Sequence, residues 1–308
     1  MPSPGHRALT RGGLLIAALL AVSACGGATP SAQPDDGRLH VVTTTTILAD
    51  LVSQVGGDLV SVESLVPKGG EVHTFDPTPS DVRRVASADV IFRNGLGLDE
   101  WLGALVKDAG ATAPVVALGD DLAEVTYLSG GEDGAVNPHL WLDPAYAALY
   151  ASRIADALAA ADTADAAALH DGGAAFATSL AALDAELSAR MAAIPIGNRT
   201  VISFHDAFPY FAAAYGLTVD GTIVDAPGQD PSAAQVAALV RAVQSKEIRA
   251  IFAEAQFSDS LARTIADETG ATVISSLYTD STGDAPLDTY PALMRWNVDQ
   301  VVAVLAAP

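Results

Sequence analysis

Short runs of β-branched and aliphatic residues alternate with helical patterns along this chain, and the alternation occurs twice. The predicted strands cover residues 39–46, 59–66, 89–92 and 114–118 in the first half, and 200–204, 217–224, 249–253 and 271–275 in the second. This alternation is typical of βαβ units, in which parallel strands are covered by helices. The sequence therefore predicts an α/β fold with two lobes, each a four-stranded, mainly parallel sheet flanked by helices.

An alanine-rich region separates the two halves. It predicts one helix over residues 144–160 and a second, long helix over 164–191 that is interrupted only at Gly172 and Gly173, because alanine is the strongest helix former. Apolar residues at helical spacing predict the buried face of the long helix: Phe176, Leu180, Leu183 and Leu187. A long helix between two lobes makes a rigid connection, and ligands of such sheets bind beyond the C-terminal ends of the parallel strands.

The N-terminus predicts export and a lipid anchor. Two arginines precede a short apolar run over residues 13–22, which is too short to span a membrane comfortably and suits a secretory signal. Small residues precede Cys25 and resemble a bacterial lipoprotein processing site; plain signal-peptide cleavage beside an incidental cysteine is the alternative. We expect a lipid on Cys25 to hold the protein at the outer, extracytoplasmic face of the cytoplasmic membrane.

These features divide the chain of 308 residues into five segments. We predict a signal peptide over residues 1–24, a flexible polar tether over 25–37, a first lobe over 38–160, a linking helix over 161–195 and a second lobe over 196–308. We expect the protein to be a monomer.

The composition excludes several kinds of function. A formal net charge of -21 leaves no basic face to neutralise phosphates, so nucleic acid is excluded as a partner. A single cysteine excludes an internal disulfide and a cysteine-rich zinc site. An acidic protein suits the handling of cations, although a solvated surface without a ligand is the simpler interpretation of most of these carboxylates.

Three histidines and one aspartate occupy positions where such a fold binds ligands. His73 follows the second predicted strand, His205 follows the first strand of the second half, and Asp280 follows the last strand. His139 precedes the helix that begins at residue 144. Imidazole and carboxylate suit zinc, manganese or iron, and one metal bound to all four would bridge the lobes. Because a single histidine in such a place is more often structural, the prediction depends on the set of four.

Glu254 follows a strand that the sequence predicts to be buried. Its carboxylate is a candidate outer-sphere partner that would fix the tautomer of a ligand histidine. It could equally cap the helix that follows, and the sequence leaves both interpretations open.

Six motifs surround these residues: GGEVHTFDPTPSD at His73, NGLGLDEW at 94–101, NPHLWLDP at His139, SFHDAFPYFAAAYGL at His205, IFAEAQFS at Glu254 and LYTDSTG at Asp280. Over roughly residues 38–308 they resemble the zinc and manganese ABC transporter substrate-binding lipoproteins (cluster A-I), a periplasmic-binding-protein-like family with a rigid helix between two lobes. The resemblance implies that the three histidines and Asp280 hold the transported metal. It also implies delivery to a membrane permease powered by a cytoplasmic ATPase.

Two departures from the family pattern bear on the metal. Zinc-specific members often carry a long histidine-rich loop before the second histidine motif, whereas residues 129–136 are acidic and free of histidine. Manganese-preferring members often have glutamate where this chain has His205. Three nitrogens and one carboxylate favour zinc over manganese, because affinity rises along the series toward copper and zinc. We expect one Zn²⁺ per chain as the transported ion, with Mn²⁺ as the alternative.

Two other functions stay open at this point. A secreted zinc metallohydrolase would use three histidines and an open coordination position. However, the sequence has no HExxH motif, Asp280 would close the fourth position, and Glu254 is the only candidate base. The other alternative is a surface adhesin lipoprotein whose metal only stabilises the fold. We expect a binding protein and not an enzyme.

Overall fold

The fold is described from a computed structural model for residues 37–130, 135–224 and 227–307. The predicted signal peptide, Cys25 and all of the tether except Gly37 lie outside these described residues. From Gly37 onward the chain forms one compact unit. Among the helices of the described part, none is both long enough and apolar enough to cross a membrane.

The first lobe contains one sheet of four strands. In chain order its elements are β1 (Leu39–Thr43), α1 (Thr46–Gly56), β2 (Val60–Ser64), α2 (Pro79–Ala86), β3 (Val90–Arg93), α3 (Trp101–Ala109) and β4 (Val115–Ala117). The strand order is β2-β1-β3-β4, and every neighbouring pair is parallel. The predicted alternation of strand and helix is therefore present in this lobe.

Two short strands and two helices connect the sheets. They are β5 (Ser129–Gly130), β6 (Ala135–Val136), α4 (Pro144–Ala161) and α5 (Ala166–Met191). The strands β5 and β6 form an antiparallel pair that the sequence did not predict. Asp143 begins α4, because its side chain accepts the backbone N–H of Ala145 at 2.8 Å and Pro144 takes the first helical position.

Helix α5 runs without a break through Gly172 and Gly173, so the predicted interruption there is wrong. These glycines allow close packing instead. A Cβ atom on Gly172 would lie 2.2 Å from the carbonyl oxygen of Val55 in α1, and one on Gly173 would lie 2.6 Å from the Cβ of Ala155 in α4. The predicted apolar stripe of α5 is buried as expected.

The second lobe contains another four-stranded sheet. Its elements are β7 (Thr200–Ser203), α6 (Pro209–Tyr215), β8 (Thr218–Thr222), α7 (Ala233–Lys246), β9 (Ala250–Glu254), α8 (Ser260–Thr269), β10 (Thr272–Leu277) and α9 (Tyr290–Leu305). The strand order is β10-β9-β7-β8, again with every pair parallel. The predicted α/β fold with two mainly parallel sheets is therefore confirmed.

One apolar core continues from the first lobe to the second. It includes Val41 of β1, Leu51 of α1, Ile154 of α4, Leu180 of α5 and Val301 of α9, all of them buried. Helix α5 contacts α1 and α4 as well as α6 and α9. Because the linking helix is packed along both lobes, a large hinge rotation would have to break this core. The connection between the lobes is therefore stiff.

Candidate metal centre

The candidate ligands meet beyond the C-terminal ends of the strands. His73 lies in the loop after β2, His205 lies just after β7, and Asp280 lies just after β10. His139 immediately precedes a short 3-10 turn, Leu140–Leu142, that leads into α4. Each of the four side chains offers one ligand atom, and these atoms all lie within 4.8 Å of one another. The structure therefore brings together all four residues that the sequence selected.

Asp280 lies at the centre of this cluster and is buried. Its Oδ1 is 3.4 Å from Nε2 of His139. Its Oδ2 is 3.7 Å from Nε2 of His205 and 3.9 Å from Nε2 of His73. In a tetrahedral zinc site with bonds of about 2.0–2.1 Å, neighbouring ligand atoms are separated by about 3.3–3.4 Å. The contact between His139 and Asp280 has this spacing, whereas the other two are longer by about 0.3–0.6 Å and involve the second carboxylate oxygen, so the side chains would move inward around one zinc ion.

The ring of His139 is held by Asn137. The amide oxygen of Asn137 accepts the backbone N–H of His139 at 3.1 Å and lies 3.0 Å from the ring nitrogen Nδ1. Because an amide oxygen only accepts hydrogen bonds, this contact places a proton on Nδ1. Nε2 is then left free to bind a metal ion.

Glu254, the last residue of β9, lies behind His205. Its Oε1 is 2.7 Å from Nδ1 of His205, and both side chains are buried. A carboxylate in this position keeps the proton on Nδ1 and turns Nε2 toward a metal. Glu254 does not cap the helix that follows, because Asp259 occupies the N-cap position of α8.

His73 is the most exposed of the four, with 20% of its side chain accessible. Its backbone N–H donates to Oε1 of Glu71 at 2.8 Å. The indole N–H of Trp101 donates to the carbonyl oxygen of Val72 at 3.0 Å, and the rings of Trp101 and Phe75 lie 4.8 Å apart. The loop is therefore fixed on both sides of His73, which lies on the solvent side of the cluster.

The ligand atoms are suited to a cation because they lack other partners. Among the described residues, Nε2 of each histidine and Oδ1 of Asp280 are buried without a hydrogen bond. A buried polar atom that stays unpaired costs about 1–3 kcal/mol. Four such atoms facing one another are unfavourable by themselves, and a metal ion bonded to all of them removes that cost.

Burial and charge change the titration of the cluster. Burial, against the opposing charge of Asp280, lowers the pKa of His73 to about 3. Burial also acts to lower the pKa of His205, but the charges of Glu254 and Asp280 outweigh it and raise the pKa to about 9. At Asp280 burial acts to raise the pKa, and the neighbouring histidines outweigh it and hold the pKa below its usual value. Near neutral pH, a metal therefore meets a neutral His73, an ionised carboxylate and a His205 that must lose a proton.

Three polar side chains beside the ligands were not selected from the sequence: Glu71, Asn137 and Gln256. Burial and the charge of Asp280 raise the pKa of Glu71 to about 7. The Nε2 atom of Gln256 donates to Oδ2 of Asp280 at 3.3 Å. For Asn137 a signal existed, because an asparagine two residues before a histidine can accept its backbone N–H. The places of Glu71 and Gln256 depend on tertiary packing and carry no such local signal.

Two parallel-sheet lobes around a rigid helix, with a largely buried cluster of three histidines and one carboxylate between them, define a class of metal-specific solute-binding proteins. A family model described as "ZnuA: Zinc-uptake complex component A periplasmic" matches residues 41–304, and the chain belongs to this family. It is thus an extracytoplasmic substrate-binding protein of an ABC metal-uptake system, and the predicted class and location are confirmed. Such proteins work with a permease and an ATPase.

Relatives and solved structures support this assignment. The chain is 30% identical to the iron ABC transporter substrate-binding lipoprotein MtsA of Streptococcus pyogenes serotype M1, over 96% of this chain and 97% of that protein. The periplasmic zinc binding protein TroA of Treponema pallidum matches with a TM-score of 0.81 and 26% identity, over 88% of this chain and 100% of that one. The Mn-bound periplasmic metal binding protein of Candidatus Liberibacter asiaticus matches with a TM-score of 0.78 and 25% identity, over 87% and 100% of the chains.

Proposed function

We propose that this protein captures one Zn²⁺ between its lobes and delivers it to the permease, and that the ion is held by His73, His139, His205 and Asp280. The observation that carries the proposal is the set of ligand atoms that face one another without other partners among the described residues. Their separations from the carboxylate of Asp280 are 3.4–3.9 Å. A four-coordinate zinc ion fits this spacing with small side-chain movements.

The proposal includes the mature chain and its anchor. Lipidated Cys25 holds the protein to the membrane, and residues 25–37 give the lobes freedom to reach the permease. The lobes extend over residues 38–160 and 196–308, on either side of the linking segment 161–195. The protein acts as a monomer in this scheme.

The donor set supports zinc as the cargo. The names of the matched proteins refer to iron, zinc and manganese, so the choice of metal is argued from the ligands of this chain. Three imidazole nitrogens suit zinc better than manganese, which favours oxygen ligands and sits lower in the affinity series. His139, His205 and Asp280 are buried, which limits the number of water ligands that a larger coordination sphere would need.

A role in binding without catalysis follows from the same arrangement. A metallohydrolase needs an open metal position for water and a nearby base. In the proposed site Asp280 takes the fourth position, and the carboxylate of Glu254 is paired with Nδ1 of His205. The adhesin alternative predicts that deleting the gene leaves cellular metal uptake unchanged, whereas our proposal predicts a loss of zinc uptake.

The direct test is competitive metal binding by the mature protein, by a His139→Ala variant and by a His170→Ala control. His170 is half-exposed on α5, its Nδ1 lies 3.5 Å from Oδ1 of Asp156, and it is not one of the four clustered residues. We expect one zinc per chain in the wild type and the control, held against an equal concentration of manganese. We expect weak binding in His139→Ala. Preferential retention of manganese would overturn the metal assignment, and no binding at micromolar metal would overturn the site.

A further inference from the structure

Asn137 carries a contact from the first lobe to the second. Its amide oxygen holds His139, while its amide nitrogen donates to the backbone oxygen of Asp206 at 2.6 Å and lies 3.2 Å from Oδ2 of the same residue. Asp206 directly follows His205 in the sequence. One side chain therefore connects a ligand of the first lobe with the backbone beside a ligand of the second.

Trp141 makes a second contact of the same kind. Its indole N–H donates to the backbone oxygen of Thr279 at 2.6 Å, and Thr279 directly precedes Asp280. The backbone oxygen of Trp141 accepts the hydroxyl of Tyr290 at 2.6 Å. Trp141 is buried, and its ring lies 5.2 Å from that of His139. Asn137 and Trp141, two residues before and after His139, thus bond the backbone of the residues adjacent to His205 and Asp280.

We propose that Asn137 and Trp141 are positioning residues that form a two-point bridge and hold His205 and Asp280 in place relative to His139. This inference rests on the proposed function, because it explains how the metal site is kept assembled. Neither residue touches the metal in this scheme. They act through the backbone, since a shift of Asp206 or Thr279 moves the adjacent ligand.

The bridge has a kinetic consequence. With both bonds present, the ligands stay near the geometry that the ion requires and the ion leaves slowly. With one bond removed, a second-lobe ligand loses a backbone anchor. Groups bonded directly to a metal ligand contribute about 10–100-fold to metal affinity, and an anchor on the adjacent residue should have an effect at the lower end of this range, about tenfold. Other contacts between the lobes persist, such as the bond from the backbone N–H of Gly69 to the hydroxyl of Ser281 at 2.8 Å, so the fold does not depend on the bridge alone.

The chain offers matched controls for both residues. Trp296 on α9 donates its indole N–H to the backbone oxygen of Ser276 at 2.7 Å, which is the same type of bond within one lobe. Asn198 donates its amide to the backbone oxygen of Leu305 at 2.8 Å, also within one lobe. Trp296→Phe therefore removes a comparable bond without touching the bridge. Asn198→Ala matches only the bond from Asn137 to Asp206 and not the contact of Asn137 with His139, so Trp141→Phe is the decisive variant.

The experiment measures the rate of zinc loss from the zinc-loaded mature protein to an excess of a coloured chelator. We expect Asn137→Ala and Trp141→Phe each to release zinc at least about tenfold faster than the wild type does. We expect Trp296→Phe and Asn198→Ala to stay within about twofold of it. Cobalt-loaded protein gives a second readout, in which the visible absorption bands change in the bridge variants and not in the controls. If Asn137→Ala does not fold, Trp141→Phe, which keeps a ring in the pocket, gives the test by itself.

The outcomes separate this inference from the proposed function. A wild type that holds zinc, together with bridge variants that release it no faster than their controls, would overturn the bridge and leave the function standing. A wild type that binds no zinc would overturn the proposed function itself. Urea unfolding of the metal-free variants shows whether each matched pair is destabilised to a similar extent, so that faster release cannot be assigned to general loosening.

Discussion

Replacing Gly172 with alanine should destabilise the protein, although alanine is the better helix former. Gly172 lies inside α5, where an ordinary glycine-to-alanine change gains about 1 kcal/mol. The new Cβ would lie 2.2 Å from the carbonyl oxygen of Val55. Backbone atoms of α1 cannot rotate away as a side chain can, so the two helices must separate by about 1 Å to restore van der Waals contact.

The expected magnitude follows from these opposing effects. Overpacking a well-packed core costs about 1–3 kcal/mol, and a clash with backbone belongs at the upper end. After subtraction of the helix gain, we expect Gly172→Ala to lower the free energy of unfolding by about 2 kcal/mol. Gly103 in α3 is the matched control, because a Cβ there meets no atom within 4 Å. Gly103→Ala should raise the free energy of unfolding by up to about 1 kcal/mol.

Urea unfolding of the metal-free protein, followed by circular dichroism, gives both numbers from midpoints and slopes. Opposite signs for the two substitutions would support close packing of α5 against α1. Gly172→Ala with unchanged or increased stability, beside the expected gain at Gly103, would refute the packing argument and with it the stiff link between the lobes.

Three further predictions concern the metal site. Zinc binding at pH 7 should release at least one proton per ion, because His205 must lose a proton to coordinate the metal. The charges of Glu254 and Asp280 outweigh burial and raise the pKa of His205 to about 9. Calorimetry in buffers of different ionisation enthalpy measures this, and the apparent affinity should rise about tenfold per pH unit from pH 6 to 8; binding without proton release would contradict it. Glu254→Gln should lower zinc affinity about 10–100-fold by removing the charged partner of His205, and chelator competition showing an unchanged affinity would refute that role. Zinc at a thousandfold excess over its dissociation constant should raise the free energy of unfolding by about 4 kcal/mol, with no such gain for His139→Ala in the same unfolding assay.

The strands and most helices could be predicted because their signals are local. The predicted and observed elements differ where capping or helix packing decides the outcome, and where a strand is very short. The first strand was predicted over residues 39–46, but β1 ends at Thr43 because the Thr45 hydroxyl accepts the backbone N–H of Leu48 and begins α1. The break predicted at Gly172 is absent, because this glycine serves the close packing of α5 against α1 and does not end the helix. The strands β5 and β6 have two residues each, too few to show a periodic pattern.

The ligand types and their loops could also be predicted, because parallel sheets bind ligands at one edge. The contacts that orient the ligands could not. Asn137 and Asp206 are 69 positions apart, and Trp141 and Thr279 are 138 apart. No local pattern connects such pairs, and only the packing of the two lobes brings them together.

The central claim is that one zinc ion is bound by residues of both lobes. The most direct measurement is X-ray absorption at the zinc edge of the mature protein loaded with one equivalent of Zn²⁺. Our account predicts four nitrogen and oxygen neighbours of zinc at about 2.0–2.1 Å in the wild type, with outer-shell scattering from three imidazole rings. In His205→Ala the scattering should come from two imidazole rings. A spectrum with one imidazole or none, or one that does not change in His205→Ala, would contradict it.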